Sequence, residues 1–159
     1  MNLSRRLLIL ATTGALAGAV QAQTTQGVSD NEIVIGTHID LSGPAAPGMP
    51  MLRNGMQLRI DELNAAGGVL NGRPLKLLTT DNKGLTARGK DNFIELAGTK
   101  DLIAVLGGKY SPVIVEMLPE AQRLQVPLIS VWGSADPITD HDQTPSYTFR
   151  VSLKDAWGV

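Results

Sequence analysis

Ser111 is the residue of this chain whose type and position most clearly suggest binding chemistry. It precedes Pro112, and a hydroxyl residue followed by proline is typical of a helix N-terminus, where the missing N–H of proline does no harm. A serine hydroxyl at that position lies beside unpaired backbone N–H groups and the positive end of the helix dipole, which together bind anions. Two interpretations stay open from these residues alone: Ser111 binds an anionic ligand, or it only caps its own helix.

Lys109 and Tyr110 come directly before Ser111 and add a cation and a phenol to the same segment. Such a pair can recognise an acidic or an aromatic ligand. Exposed lysine and tyrosine side chains beside a turn are nevertheless more often solvated or packed on the surface. Both interpretations of this pair stay open at the level of the sequence.

Few residues of the chain are suited to catalysis or metal binding. The sequence has no cysteine, two histidines and no Gly-x-Ser-x-Gly segment of the kind that carries the nucleophile of an α/β hydrolase. His38 lies in a strand-like segment and is interpreted as a packed or edge residue. Asp140, His141 and Asp142 are adjacent in sequence, so their side chains diverge instead of converging on a metal ion. We therefore expect a protein that is not an enzyme, with no metal or cofactor, and keep an exported α/β hydrolase as an alternative.

These residues depend for their positions on an alternation of apolar strand-like runs and helices. Short runs rich in valine, isoleucine and leucine recur at 33–36, 74–78, 102–106, 126–131 and 147–151. Helical spacing of apolar residues begins at Met49, and further helices are predicted to start at Thr86 and Ser111. This alternation predicts an α/β fold with a doubly wound parallel sheet and right-handed crossovers. Ligands of such sheets bind at the carboxyl ends of the strands.

The pattern also gives three detailed expectations around the second helix. Asp81 is expected at the carboxyl end of the strand that precedes this helix. Thr86 is expected to cap the helix with its hydroxyl. Its buried face is expected to carry Ala87, Ile94 and Ala97.

The first 22 residues have the composition of a secretory leader. Arg5 and Arg6 precede an apolar run over 7–20, and Val20-Gln21-Ala22 has the small residues that signal peptidase requires. We predict cleavage after Ala22 and a periplasmic location, with the general secretory and twin-arginine routes both open. Removing 22 of the 159 residues would leave 137, enough for one domain with a core.

The net charge bears on the class of partner, and the absence of cysteine bears on how the fold is stabilised. The formal net charge is −1 and no basic block is present, so nucleic acid is not an expected partner. Because an exported chain without cysteine has no disulfides, its fold relies on packing alone.

Several short motifs and single residues after the leader are informative when they are taken together. They are Leu41-Ser42-Gly43-Pro44, Asn54-Gly55, Asn64-Ala65-Ala66-Gly67-Gly68-Val69, Asn71-Gly72, Asp81, Gly107, Ser111, Val126-Pro127-Leu128-Ile129-Ser130 and Phe149-Arg150. In order and spacing these motifs resemble the N-terminal part of the periplasmic leucine/isoleucine/valine-binding proteins. The resemblance implies one Rossmann-like lobe of a type I periplasmic binding protein, whose two lobes close over a small ligand.

The resemblance also implies a domain organisation and partners. Residues 1–22 would be the signal peptide, 23–31 a tail, 32–148 the first ligand-binding lobe, and 149–159 the crossover strand with the start of a second lobe that is otherwise missing. The implied function is binding of a small amino acid or related carboxylate or amide for delivery to an inner-membrane ABC permease. A ligand-sensing receptor domain of the same fold is the alternative. The segment from Ser152 is expected to be poorly held, because a second lobe would supply its neighbours.

Family positions assign roles to several residues of this chain. By the resemblance, Ser111 contacts the charged head of the ligand, and Ser134 lies close to where relatives carry a ligand-binding threonine. The backbone around Trp132 and Gly133 would offer further polar groups, while the Trp132 side chain either walls the pocket or covers the sheet edge. Asp155 matches a family acid just past the crossover strand.

One position departs from the family pattern. Gly48 stands where leucine-binding relatives place an aromatic ring against the ligand side chain, so branched-chain specificity is not implied. Lys109 and Tyr110 would lie at the mouth of the pocket. The resemblance therefore indicates the class of ligand and leaves its identity open.

Overall fold

Five strands and three α-helices alternate along the residues that the structure describes. The structure is a computed structural model that describes residues 29, 31–44 and 46–158. The strands are β1 (Ile33–Ile39), β2 (Leu75–Asp81), β3 (Leu102–Gly107), β4 (Leu128–Ser130) and β5 (Thr148–Arg150). The helices are α1 (Met49–Ala65), α2 (Thr86–Ala97) and α3 (Ser111–Leu124), and short 3-10 turns cover Asp136–Ile138 and Asp155–Trp157.

The strands form one sheet in the order β2-β1-β3-β4-β5, and every neighbouring pair is parallel. Parallel sheets are covered on both faces, which is why adjacent residues of β1 such as Ile33 and Val34 are both buried. Right-handed crossovers place α1 on one face of the sheet and α2 and α3 on the other. The predicted α/β fold with a doubly wound parallel sheet is therefore confirmed.

The predicted leader, with its cleavage site after Ala22, lies outside the described residues. Most of the predicted tail at 23–31 lies outside them as well. In the part of the chain that is described, no helix combines the length and the apolar character needed to cross a membrane.

Glycines and one asparagine build the connection from α1 to β2. Gly67 and Gly68 have φ angles of 102° and 81°, and a Cβ on Gly68 would lie 2.5 Å from the carbonyl oxygen of Arg73. Asn64 then bonds the backbone of Leu75 twice, because its Nδ2 donates to the carbonyl and its Oδ1 accepts the N–H, both at 2.8 Å. These two bonds tie the end of α1 to the first residue of β2.

The main core lies between the sheet and the pair α2 and α3. Its fully buried side chains include Phe93, Val105, Ile114, Met117, Leu128 and Ile138. Burial of one side chain of this size stabilises a fold by about 1.5–3 kcal/mol. The two helices approach closely at Gly89, where a Cβ would overlap the side chain of Val113 in the first turn of α3. This contact holds the N-terminal end of α3 in place.

The predicted cap of α2 is wrong. Leu85 is the N-cap residue, no side-chain cap bond is formed, and Thr86 is the first helical residue. The preceding turn is set instead by side chains from outside the helix, since Asp40 Oδ1 and Asn82 Oδ1 both accept the N–H of Gly84, at 3.0 and 2.8 Å. The helix therefore begins without the help of a hydroxyl.

The predicted buried face of α2 is right only at Ala97. Ala87 is exposed and Ile94 is 38% exposed, whereas Phe93 and Leu96 are buried. Phe93 and Leu96 also fit helical spacing, and they turn more apolar surface towards the core than the predicted pair would. The buried face is thus rotated by about one residue.

Gly89→Ala is expected to lower the free energy of unfolding by about 1 kcal/mol or more, because the added methyl group has no room beside Val113. The matched control is Gly55→Ala in α1, where nothing lies within 4 Å of the added methyl group. There, alanine should raise stability by about 0.5–1 kcal/mol through helix propensity and chain entropy. Chemical denaturation of both variants gives the comparison, and equal stabilisation by the two would contradict the close contact of α2 with α3.

Candidate functional site

The loops that follow the strands meet at the carboxyl edge of the sheet. Their described residues are 40–44 and 46–48 after β1, 82–85 after β2, 108–110 after β3 and 131–135 after β4. The direction of winding reverses between β1 and β3, because the chain leaves β1 towards β2 and returns past β1 to β3. Ligands of open α/β sheets bind in the crevice at such a switch point. The topology therefore indicates a candidate ligand site at the carboxyl ends of β1 and β3.

Ser111 extends from the switch point to the loop after β4. Its Oγ accepts hydrogen bonds from the backbone N–H groups of Ser134 at 3.0 Å and Ala135 at 3.2 Å. The interpretation that Ser111 caps its own helix is wrong, since Tyr110 holds the N-cap position and its carbonyl oxygen accepts the N–H of Val113 at 3.1 Å. The hydroxyl of Ser111 instead links two loops of the carboxyl edge.

The hydrogen bonds of Ser111 restrict what else it can bind. A serine hydroxyl has two acceptor lone pairs and one donor hydrogen, and the two loop N–H groups occupy both lone pairs. The first turn of α3 carries no acidic residue, and its dipole favours a negative charge nearby. A ligand atom that meets the Ser111 hydroxyl must therefore be an acceptor, such as a carboxylate oxygen.

Gly133 is buried at a point where no side chain fits. A Cβ there would overlap the side chain of Ile114 and would lie 3.3 Å from the Oγ atoms of both Ser111 and Ser130. The carbonyl oxygen of Gly133 accepts hydrogen bonds from Ser130 Oγ and Ser152 Oγ, each at 2.7 Å. The loop after β4 can approach Ser111 only because this residue is glycine.

Lys109, Tyr110 and Trp132 form a cluster beside Ser111. Lys109 Nζ lies 5.6 Å from the centroid of the Tyr110 ring and 5.4 Å from that of Trp132, which are cation–π distances. Trp132 is 50% exposed and Tyr110 is 37% exposed. The cluster presents one cation and two rings to solvent at the carboxyl edge, where a ligand with a carboxylate or a ring can contact them.

Asp81 fastens the first loop at the end of β2, where the sequence predicts it. Its Oδ1 accepts the N–H groups of Leu41 at 2.9 Å, Ser42 at 3.3 Å and Lys83 at 2.9 Å, and its Oδ2 accepts the Ser42 hydroxyl at 2.5 Å. Burial acts to raise the pKa of Asp81, but the four hydrogen bonds together hold this pKa below its ordinary value. The ionised carboxylate thus ties the loop after β1 to the end of β2.

A buried polar cluster lies beneath the same edge. His38 is fully buried, with its Nδ1 2.9 Å from Asn82 Nδ2, so Nδ1 accepts and the neutral ring carries its hydrogen on Nε2. Burial lowers the pKa of His38 from 6.5 to about 4, and burial likewise raises the pKa of Asp40. Nε2 of His38 has no hydrogen-bond partner among the described residues. The interpretation of His38 as a packed residue is confirmed.

Gly48 and Asp155 are not brought into contact with Ser111. Gly48 is the exposed N-cap residue of α1, with a φ of 83° and no atom within 4 Å of its Cβ position. Asp155 places its backbone against the site, since its N–H donates to the carbonyl oxygen of Ser134 at 2.9 Å, while the residue itself is exposed.

The segment after β5 is held against the site loop, so the prediction that it is poorly held from Ser152 onward is wrong. Ser152 Oγ donates to the carbonyl oxygen of Gly133 at 2.7 Å, and Lys154 Nζ lies 2.6 Å from Asp140 Oδ2. The hydrogen bond and the ion pair with Lys154 lower the pKa of Asp140. Polar groups of this segment are thus held by Gly133 in the loop after β4 and by Asp140, while its apolar side chains stay exposed.

A cavity of about 310 Å³ lies away from the carboxyl edge, beside the amino end of β5. Its lining residues include Leu118, Pro119, Gln122, Pro137, His141 and Thr148. The ring of His141 is engaged there, since its Nε2 lies 2.6 Å from Thr148 Oγ1. Among the described residues, no three metal-ligating side chains converge, either in this cavity or elsewhere.

Two parts of the site were not predicted from the sequence. Asp40 and Asn82 each follow directly after a strand, and that position at the carboxyl edge of a parallel sheet was a signal that could have identified them. Ala135 gave no signal, because it contributes only a backbone N–H.

Comparison with known proteins identifies what the chain is similar to. Residues 32–158 match the family model described as periplasmic binding protein. The branched-chain amino acid transporter substrate-binding protein LivJ of Streptococcus pneumoniae, solved in complex with isoleucine, is 30% identical with a TM-score of 0.70, and the match covers 79% of this chain and 35% of that one. The fatty acid ABC transporter substrate-binding protein of Thermomonospora curvata is 25% identical with a TM-score of 0.58, over 66% of this chain and 26% of that one.

A more distant structure shows likeness of fold alone. The leucine-binding protein LivK of Thermotoga maritima is 16% identical with a TM-score of 0.67, over 78% of this chain and 33% of that one. The chain thus spans between 26% and 35% of the length of these three proteins.

Lowering the pH from 7 to 4 is expected to destabilise the folded chain through His38. Burial holds the pKa of His38 at about 4 in the folded state, against the ordinary value of 6.5 in an unfolded chain, so the unfolded state binds more protons between these values. This contribution is full above pH 6.5 and falls by up to about 3 kcal/mol as the pH falls to 4. Denaturation of the wild type and His38→Gln across this range measures it, and parallel pH dependence of the two proteins would contradict a buried neutral His38.

Proposed function

Because the chain belongs to the periplasmic binding protein family, we propose that it is the extracytoplasmic solute-binding component of an ABC importer. Members of the matched family are solute-binding proteins, which are not enzymes, and the proposed role is binding followed by delivery to an inner-membrane permease. The observation that carries the proposal is the Ser111 hydroxyl at the switch point, held by two loop N–H groups so that its hydrogen is left for a ligand.

The proposed organisation follows the positions of the site loops. Residues 32–148 form one ligand-binding lobe, and 149–159 lead across to a second lobe of the complete protein. Val151 is 74% exposed, Leu153 72% and Trp157 69%. This exposure supports the proposal, because several large apolar side chains exposed within a short segment favour contact with further protein. Residues 1–22 are a signal peptide cleaved after Ala22, which delivers the protein to the periplasm.

The proposed ligand is a small molecule that carries a carboxylate, such as an amino acid or a related acid or amide. The Ser111 hydroxyl can only donate a hydrogen bond to a ligand, and Lys109 supplies a cation in the cluster beside it. Isoleucine in the LivJ complex and the fatty acids for which the Thermomonospora curvata protein is named share a carboxylate and differ in the rest of the molecule. Gly48 leaves open space at the position of the family aromatic ring, so the chain itself gives no support for branched-chain selectivity.

A thermal-shift screen of amino acids, amides and organic acids on the complete protein tests this function. The compound that stabilises most then serves as the probe for Ser111→Ala. The loss of one charge-assisted hydrogen bond should weaken binding by about tenfold to a hundredfold. Calorimetric titration of the wild type and the variant measures this change.

The matched control is Ser146→Ala, because the Ser146 hydroxyl bonds Thr148 at the opposite end of the sheet. It should bind the probe as tightly as the wild type does. A screen without any stabilising compound, or turnover of a chromogenic ester, would contradict the carrier function. Unchanged binding by Ser111→Ala would remove Ser111 from the site.

A further inference from the structure

Arg150, the last residue of β5, extends its side chain across the loop that follows β4. Its Nη1 donates to the carbonyl oxygen of Ser134 at 2.9 Å, and its Nη2 donates to that of Ala135 at 2.7 Å. Its Nε donates to Thr139 Oγ1 at 2.8 Å. Longer contacts reach the carbonyl oxygens of Asp136 at 3.3 Å and Leu153 at 3.4 Å. The guanidinium is therefore surrounded by loop oxygens.

Two of the residues that Arg150 bonds, Ser134 and Ala135, are also the residues that bond Ser111. The carbonyl oxygen of Ser134 and the N–H of Ala135 belong to one peptide group, which is planar and rigid. Arg150 Nη1 donates to the oxygen of this peptide. The N–H of the same peptide donates to Ser111 Oγ, with 3.2 Å between the nitrogen and the oxygen. A second donor, the N–H of Asp155, contacts the same oxygen at 2.9 Å. A rotation of this peptide would break its bonds on both sides.

Arginine suits this position better than lysine would. A guanidinium presents five N–H groups in a fixed plane, so it can bond two successive carbonyls and a hydroxyl together. A lysine ammonium is a point charge on a flexible stem and cannot hold these acceptors in one geometry. The positive charge beside the carbonyl oxygen also polarises the peptide group. This polarisation makes the N–H of Ala135 a stronger hydrogen-bond donor to Ser111 Oγ.

We infer that Arg150 is a positioning residue for the ligand site. By holding the Ser134–Ala135 peptide, it keeps a backbone N–H donor in place on Ser111 Oγ. The lone pairs of the hydroxyl stay occupied, so that its hydrogen stays directed to the crevice. Arg150 acts on binding without touching the ligand. The inference rests on the proposed function, since it assigns to Arg150 the support of the same Ser111 hydroxyl.

The test compares Arg150→Lys with two controls in the complete protein. Thr139→Ala removes only the Nε contact, and Arg123→Lys alters an exposed arginine of α3 whose hydrogen bonds go to Glu120. Amide hydrogen exchange without any ligand should accelerate by about tenfold or more at Ser134 and Ala135 in Arg150→Lys. Exchange in β1 and β3 should stay unchanged in all three variants.

Binding gives a second, independent readout with L-isoleucine and sodium octanoate as probes. Arg150→Lys should weaken the binding of whichever probe the wild type binds, and its effect should not add to that of Ser111→Ala in the double variant. Additive losses, or unchanged exchange at Ser134 and Ala135, would overturn the inference. If the wild type binds neither probe, the most stabilising compound of the thermal-shift screen replaces them. If the screen finds no such compound while exchange responds as expected, the proposed function fails, and Arg150 holds the Ser134–Ala135 peptide without a role in binding.

Discussion

Because all five strands run parallel in the order β2-β1-β3-β4-β5, every loop that leaves a strand does so at the same edge of the sheet. The N-termini of α1 and α3 start from this edge on either side of the switch point, and neither helix has an acidic residue in its first turn. Their dipoles therefore bring positive potential to the crevice before any single side chain is considered. The remaining features of the site refine a location that the topology already sets.

Side chains from neighbouring loops hold the backbone of this edge in a defined arrangement. Asp81 binds the loop after β1, while Ser111 and Arg150 hold opposite sides of one peptide in the loop after β4. Gly133 makes this approach possible because any side chain there would meet Ile114. A site whose donors are fixed before the ligand arrives loses less conformational freedom on binding, which favours affinity.

The strands and helices could be predicted because buried parallel strands read as continuous apolar runs and glycines mark their ends. Ser111 could be singled out because a hydroxyl before a proline is a local signal. Its partners could not, since Ser134 and Ala135 contribute backbone N–H groups more than twenty residues away, and a backbone group has no residue-type signal. The face of α2 was mistaken because Ile94 and Phe93 are adjacent and both apolar, and only tertiary packing selects between them.

A crystal structure of the complete protein with the compound that stabilises it most would show directly whether Ser111 binds the ligand. We expect an acceptor atom of that compound, such as a carboxylate oxygen, within about 2.5–3.0 Å of Ser111 Oγ. The Ser134 and Ala135 N–H groups should still contact the same hydroxyl. A compound bound elsewhere, for example in the cavity beside the amino end of β5, with Ser111 free of ligand, would contradict a ligand site at the carboxyl edge of the sheet.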